Sequence, residues 1–215
     1  MHNTDMYRDN GEETVNMIEV PARSMYYGTP VALITTSNAD GSENITPMSS
    51  SWSLRNRIVL GIGLASQAAE NLAARPELAI GLPDASLWSH VEKLSELTGK
   101  REVPAHKAAL FHSEPDKWSA SGFTRLASQH IGPGRIAECP LQMEAVVESI
   151  TPVADDPEGF AMIVARVLAM YAHESVVKTD SATVDPARWT PLVFSYGSYR
   201  SAGVEVGKMK RAVRR

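Results

Sequence analysis

Cysteine is almost absent from this 215-residue chain, and the one present, Cys139, excludes an intramolecular disulfide and any metal site made of several cysteines. No long apolar run occurs either, because the most apolar segment, residues 160–172, contains Arg166 and is shorter than the roughly 20 residues of a membrane-spanning helix. Residues 1–13 are polar and acidic, unlike a secretory signal. We therefore predict a cytoplasmic protein in a reducing compartment, with no membrane partner.

An excess of positive charge is also missing, since 25 acidic residues outnumber 21 basic ones and give a formal net charge of −4. This balance argues against nucleic acid as a partner. The charge is uneven, because five of the last eight residues are basic: Lys208, Lys210, Arg211, Arg214 and Arg215. We interpret this tail as a solvated terminus, and contact with an acidic partner is the alternative.

The common catalytic signatures are missing as well. The chain has no Gly-x-Gly-x-x-Gly after its first strand, no Walker phosphate loop, no His-Glu-x-x-His and no Gly-x-Ser-x-Gly. Its histidines lack helical metal-ligand spacing; His106 and His112, for example, are six residues apart. Cys139 precedes Pro140 at an expected strand entrance, which favours a small buried residue over a nucleophile. We therefore predict no metal and name no catalytic residue.

Segments rich in β-branched residues, separated by turn residues, predict strands. Asp40-Gly41 lies between residues 31–37 and 42–46, and Asp-Gly is a strong hairpin signal because glycine tolerates a positive φ. Residues 160–171 fit a buried helix or a strand by periodicity, and the preceding turn at 155–159 decides for a strand. The other predicted strands are 57–63, 78–83, 141–148 and 191–199, the last closing the sheet.

The strand at 141–148 shows the clearest alternation. Leu141, Met143, Ala145 and Val147 point one way, while the other face carries polar side chains, namely Gln142, Glu144 and Glu148. This pattern predicts a strand with one face in water.

Two helices are predicted between the strands. Ser66 is placed to cap a short helix over residues 66–72, which Pro76 follows. A second helix is expected from Leu87 to Thr98, because apolar residues recur on one face and Gly99 follows. With six or seven mostly antiparallel strands, the fold class is mainly β with inserted helices. A closed or split β-barrel of Greek-key type fits better than a doubly wound sheet, which needs a helix after nearly every strand.

The segment at residues 47–52, here called the serine segment, directly follows a predicted strand. Three consecutive serines stand between Met48 and Trp52, so hydroxyl and N–H donors lie beside apolar surface. A phosphorylated aromatic cofactor needs that combination. Ser66 and Gln67 at a helix start add a second anion site, because free N–H groups and the helix dipole favour a phosphate there. The alternative interpretation is an ordinary serine-rich loop followed by an ordinary helix cap.

The stretch from Asn44 to Asn71 resembles the flavin reductase family, the FMN-binding split barrels related to flavoredoxin. Its Pro-Met-Ser-Ser-x-Trp, Val-Leu-Gly-x-Gly and Ser-Gln-x-x-Glu-Asn motifs occur here in order at residues 47–52, 59–63 and 66–71. Further similarity lies at residues 116–124, 135–144 and 184–192. The resemblance spans about residues 25–200, which implies one split-barrel domain between an N-terminal extension at 1–24 and the basic tail at 201–215.

The resemblance also implies a binding site and an activity. The cofactor-binding residues it implies are Pro47, Met48, Ser49, Ser50, Ser51, Trp52, Ser66, Gln67, Asn71, Lys117 and Thr124. The implied protein is an FMN-binding oxidoreductase, a homodimer that takes electrons from NADH or NADPH and passes them to a second acceptor such as a partner monooxygenase. The alternative from another class is a non-catalytic FMN-binding electron carrier or sensor module. A change of cofactor to haem, a deazaflavin or pyridoxal phosphate is the third interpretation.

Overall fold

A computed structural model describes residues 6–8, 14–21, 25–153 and 159–206. The predicted basic tail from Lys208 and the turn at 155–158 lie outside the described residues. The strands are β1 Met6–Arg8, β2 Thr14–Asn16, β3 Tyr27–Pro30, β4 Ala32–Ser37, β5 Glu43–Met48, β6 Ser51–Leu54, β7 Arg57–Gly63, β8 Glu77–Leu82, β9 Leu97–Thr98, β10 His112–Ser113, β11 Arg125–Leu126, β12 Arg135–Ile136, β13 Leu141–Pro152, β14 Phe160–Ala172, β15 Leu192–Ser195 and β16 Ser198–Ser201. The helices are α1 Gln67–Ala74, α2 Trp88–Glu92 and α3 Lys117–Ser121.

Seven of the strands form one antiparallel sheet in the order β5-β4-β8-β13-β14-β7-β6. The predicted Asp40-Gly41 hairpin is confirmed, because β4 pairs antiparallel with β5 and Gly41 has a φ of +85°. The predicted strands at 57–63, 78–83 and 160–171 correspond to β7, β8 and β14, each within one residue at either end. This sheet confirms the predicted fold class, which is mainly β with inserted helices.

The two edge strands of the sheet, β5 and β6, are consecutive in the chain. Only Ser49 and Ser50 separate Met48 at the end of β5 from Ser51 at the start of β6. Three Cα steps span at most about 11 Å, so the sheet must curl until its edges approach each other. The result is a barrel that is open along one line, which we call the seam, crossed by Ser49 and Ser50.

The prediction of a wet face on β13 is wrong at Gln142 and Glu144, which are both buried. The carboxylate of Glu144 accepts hydrogen bonds from the backbone N–H groups of Gln129 and His130 and pairs with Arg135 at 3.2 Å. The loop before β13 therefore covers the polar face of the strand. The charge of Glu144 is compensated there instead of being solvated.

The helix predicted from Leu87 to Thr98 is also corrected. A short 3₁₀ turn, Ala85–Leu87, leads into α2, and Asp84 instead of Ser86 caps the turn. Beyond α2 the backbone forms tight turns, in which the N–H of Leu94 bonds to the carbonyl of Val91. The helix cannot continue because β9, at Leu97–Thr98, pairs with β10.

The final hairpin lies apart from the main sheet. The predicted strand at 191–199 is two strands, β15 and β16, joined by a turn at Tyr196-Gly197. They form a three-stranded sheet with β3 and do not close the barrel. This small sheet carries Phe194 and Tyr199 over a second apolar cluster that includes Leu33 and Val91.

The main core fills the inside of the barrel with side chains from β4, β7, β8, β13 and β14. Cys139 is buried, as predicted, and burial raises the pKa of its thiol. Among the described residues, no helix is long and apolar enough to cross a membrane. The same part of the chain contains no group of three or more residues able to hold a metal ion. The cytoplasmic location stays a prediction.

Candidate functional site

Two adjoining cavities lie beside the seam. The large cavity has a volume of about 780 Å³ and the small one about 200 Å³. They share five lining residues: Thr46, Pro47, Ser66, Ser95 and Phe111. One elongated ligand can therefore extend from the first cavity into the second, and the larger volume is in the range of ordinary ligand pockets.

The serine segment forms one wall of the large cavity. Ser50 is held against β7, because its hydroxyl donates to the carbonyl of Gly61 at 2.7 Å and its carbonyl accepts from the Gly61 N–H at 2.8 Å. A Cβ on Gly61 would lie 3.3 Å from the Cβ of Ser50, so a glycine permits this close approach. The segment is thus fixed at the seam by β7 and presents Met48 and Ser49 to the cavity.

The start of helix α1 lies where the two cavities meet. Ser66 is the N-cap, as predicted, and its hydroxyl accepts from the N–H of Ala69 at 3.1 Å. Gln67, the first helical residue, lines the small cavity. The N–H groups of a first helical turn and the helix dipole stabilise an anion, so this end of the small cavity favours a negatively charged group.

Lys117 supplies a positive charge to the small cavity. It is the first residue of α3, which Asp116 caps, and only 3% of its surface is exposed. Its ammonium donates to the carbonyl of Ile45 at 2.9 Å and has no carboxylate within 4.0 Å among the described residues. Burial lowers the pKa of Lys117 to about 8, against a smaller opposite effect of Glu114.

The position of α3 is set by Glu43 on β5. The carboxylate of Glu43 accepts from the indole N–H of Trp118 at 3.1 Å and from the Arg125 guanidinium at 2.8 and 2.9 Å. It also accepts from the N–H of Gly134. Because these bonds join β5 to α3 and to the following loop, they hold the Lys117 backbone beside the small cavity.

Asn44 gives the small cavity an unused acceptor. Its side-chain N–H donates to the Thr46 hydroxyl at 2.9 Å, while its carbonyl oxygen Oδ1 is buried without a partner. A Cβ on Gly99 would come within 2.4 Å of that oxygen, so residue 99 has room only for glycine. A ligand hydroxyl in the small cavity would satisfy the orphaned oxygen.

The wall opposite the serine segment is aromatic. Trp88, Glu92 and Ser95 line the large cavity from α2 and the turn after it, and Phe194 and Tyr199 line it from the small sheet. The ring centroids of Trp88 and Tyr199 are 6.4 Å apart. Burial and the neighbouring Glu92 carboxylate raise the pKa of Tyr199, so its phenol stays protonated and can donate a hydrogen bond.

Seven of the residues expected to bind a cofactor lie around these cavities: Pro47, Met48, Ser49, Ser50, Ser66, Gln67 and Lys117. The other four line neither cavity of the single chain. Ser51 and Trp52 belong to the edge strand β6, and the Thr124 N–H donates to Glu138. Asn71 is buried and bonded to Thr36, Asn38 and Gln67, so it ties α1 to the first hairpin and orients Gln67.

Several residues that line the cavities are not predicted from the sequence. Trp88, Glu92 and Ser95 are spaced by four and three residues, so in a helix they share one face. The prediction rested on the apolar face of that helix alone and did not consider this one. That spacing is the signal that could have found them. Asn44 and Gly99 have no comparable signal, since only the tertiary contact between them shows their role.

The two cavities together are polar and cationic at one end and aromatic at the other. Lys117, the start of α1 and the Asn44 oxygen suit a phosphate that carries a hydroxylated chain. The aromatic wall and Met48 suit a flat ring. The donor set therefore fits a phosphorylated aromatic cofactor.

Comparison with known proteins agrees with this geometry. The chain matches the family described as "Flavin reductase like domain" over residues 23–203. It is 39% identical over 202 residues to the uncharacterized protein YdfE of Bacillus subtilis (strain 168), a match that covers 94% of this chain and 97% of that protein.

Several solved structures share the fold. Flavoredoxin of Desulfovibrio vulgaris (Miyazaki F) has a TM-score of 0.74 at 18% identity, covering 92% of this chain and 100% of that one. Nitrilotriacetate monooxygenase component B from Bacillus cereus has a TM-score of 0.71 at 16% identity, covering 93% and 100%. The predicted flavoredoxin-like split barrel is confirmed.

Proposed function

The chain belongs to the flavin reductase like family of flavin-related oxidoreductases, and we propose that it binds FMN, takes electrons from NADH or NADPH and passes them to a second acceptor. The observation that carries this proposal is the juxtaposition of a buried lysine and a helix start at one end of the site with an aromatic wall at the other. The lysine and the helix start suit the phosphate of a phosphorylated flavin, and the aromatic wall suits its ring.

The phosphate of FMN is assigned to the small cavity. Lys117 supplies the charge, and the first turn of α1, capped by Ser66, supplies the helix dipole. The body of the chain is acidic and repels a phosphate at long range, so local donors must dominate. The Asn44 oxygen accepts from the hydroxylated chain of the cofactor, which gives the buried orphan a partner.

The flavin ring is assigned to the serine-segment side of the large cavity, facing the aromatic wall across the cavity. Bound there, FMN would supply the ring that accepts a hydride from the nicotinamide donor and the electrons that pass to the acceptor. The side chains of the protein bind and orient, and the apolar groups of Met48 and Phe194 exclude water. This division of work requires no acid/base pair from the protein, and none is predicted from the sequence.

A homodimer belongs to the same proposal. On the outer face of β6, β7 and β14, Trp52 lies in register with Val59, while Met162 and Phe160 lie opposite Gly61 and Gly63. Trp52, Phe160 and Met162 are 58%, 45% and 42% exposed, so this face presents a strip of large apolar side chains to solvent. Gly61 and Gly63 also line the large cavity, so a second copy seated on the strip would border the site.

The dimer is tested by a charge placed in that strip. Sedimentation velocity of Trp52→Asp is expected to show a monomer with weakened FMN binding, whereas the wild-type chain sediments as a dimer. The control is Leu126→Asp, which changes an exposed apolar residue of β11, outside the strip and both cavities. A wild-type monomer that binds FMN fully would overturn the dimer proposal.

The second acceptor is either a small molecule or a partner enzyme of the monooxygenase type, since one structure with this fold is named as component B of a monooxygenase. The function is tested by incubating the purified chain with FMN, removing free flavin and mixing anaerobically with NADH or NADPH in a stopped-flow instrument. Rapid bleaching of the flavin band is expected. A yellow complex that stays oxidised would support the electron-carrier or sensor alternative, and a colourless protein would refute flavin binding.

A further inference from the structure

The large cavity has an uneven charge. Glu92 is the single charged residue among its described lining residues, and no lysine, arginine or histidine faces it. Within the same described part of the chain, Glu92 has no cation within 4.0 Å. The cations of the site, Lys107 and Lys117, line only the small cavity. Among the described residues, the charge that lines the large cavity is therefore negative, while the small cavity is positive.

The residues around Glu92 form a connected aromatic surface. The Tyr26 and Phe194 rings are 5.5 Å apart, and those of Phe194 and Tyr199 are 5.7 Å apart, both edge to face. Trp88 extends this surface at 6.4 Å from Tyr199. Trp88 is 51% exposed, and its side chain belongs to no core cluster of the described residues. An exposed indole beside a cavity offers stacking area to a flat ligand.

We propose that Trp88, Tyr199 and Glu92 form an acceptor subsite that selects planar aromatic electron acceptors without negative charge, such as uncharged quinones, and rejects anionic ones. This inference rests on the proposed function, because it places the acceptor beside the bound flavin. In the reaction, the quinone gains two electrons and two protons and becomes the hydroquinone. The electrons come from flavin reduced by NAD(P)H, and solvent completes the proton balance.

Each residue has a separate role in this subsite. Trp88 provides the stacking face, which is indifferent to ligand charge. Tyr199 orients the Glu92 carboxylate, because burial and its hydrogen bond to that carboxylate raise the pKa of the phenol and keep it protonated. The Glu92 carboxylate repels an anionic substituent, and at about 6 Å one like charge weakens binding roughly tenfold.

The test uses two probes that differ only in charge, 1,4-naphthoquinone and its 2-sulfonate. Each is titrated calorimetrically into the oxidised FMN-loaded protein, in which no turnover occurs. In the wild-type chain, the sulfonate is expected to bind about tenfold more weakly than the neutral quinone. In Glu92→Gln this difference is expected to shrink to about twofold. Glu96→Gln is the matched control, since Glu96 is exposed on the same segment and lines neither cavity.

A second variant separates stacking from charge. Trp88→Ala, compared with the wild-type chain at equal FMN content, is expected to weaken both probes about equally, by roughly tenfold. Equal affinity for the two probes in the wild-type chain would overturn the inference, as would a difference that Glu92→Gln leaves intact. If the chain takes up no FMN, the proposed function fails. The same titration on the flavin-free chain then still measures the charge selectivity of the cavity.

Discussion

Replacing Lys117 by methionine should have opposite effects on the stability of the flavin-free protein and on its affinity for FMN. The pKa of Lys117 falls from 10.5 to about 8 because the side chain is buried. At 1.36 kcal/mol per pKa unit, this shift corresponds to about 3 kcal/mol of penalty for the charged form in the folded state. The hydrogen bond from the charged ammonium to the Ile45 carbonyl is worth about 2 kcal/mol in return.

The sign follows from the direction of the shift. Because the folded state lowers the pKa of a lysine, the penalty on folding is full below pH 8 and disappears as the pH rises toward 10.5. At pH 7, Lys117→Met is therefore expected to raise the free energy of unfolding by about 1 kcal/mol, the penalty removed less the hydrogen bond lost. Near pH 10.5 this gain should vanish. Urea denaturation of the flavin-free chain at both pH values measures it.

FMN binding should change the other way. A buried charged hydrogen bond contributes about 1.5 to 3 kcal/mol, so Lys117→Met should weaken FMN binding roughly 10- to 100-fold. If the phosphate restores an ordinary pKa to the bound lysine, wild-type affinity should drop about tenfold between pH 7 and pH 9. The variant should show no such drop. Flavin fluorescence titration at each pH measures both affinities.

Lys178→Met is the matched control, because it removes one positive charge from an exposed lysine outside both cavities. It should leave the stability difference and the pH dependence of FMN binding as in the wild-type chain. Full FMN affinity in Lys117→Met would refute the placement of the phosphate. A stability loss at pH 7 would refute the reasoning about the buried charge.

Three further substitutions test the construction of the site and the barrel. Ser66→Ala removes the α1 cap and should lower the free energy of unfolding by about 1 kcal/mol and weaken FMN binding, as measured by thermal denaturation with and without FMN. Gly99→Ala pushes a methyl group against the Asn44 oxygen and should cost about 1 to 2 kcal/mol together with FMN affinity, whereas Gly203→Ala, with open space around it, should change neither. Glu144→Gln leaves Arg135 buried without its counterion and should cost about 3 kcal/mol in urea denaturation. Glu148→Gln, which weakens exposed ion pairs with Arg57 and Arg166, should cost under about 1 kcal/mol, and equal losses for the two variants would contradict this account.

Local signals in the sequence predict the elements whose cause is local. The Asp40-Gly41 turn needs a residue at positive φ, and the Ser66 cap needs only its own hydroxyl and the N–H of Ala69. Both are confirmed. The same holds for β7, whose apolar run is bounded by turn residues on each side.

Signals that depend on distant segments were misleading. Alternation in β13 shows which side chains share a face but not what covers that face, so the burial of Glu144 under residues 129–135 could not be predicted. The helix expected to reach Thr98 ends early because β10, a segment 14 residues further on, takes up its backbone. The aromatic wall also needs the hairpin β15–β16, which packs over α2 only in the folded chain.

The seam has a consequence for how the protein folds. Its two edges meet only after β7 has paired with β14 and β4 with β8, and the first of these pairings joins segments about 100 residues apart. Contacts so distant in sequence close slowly, because the loop entropy is lost before the contact energy is gained. The serine segment therefore acquires its final geometry late, when the barrel is already formed. A ligand bound there recognises only the completed barrel, so it should slow unfolding and leave the folding rate unchanged.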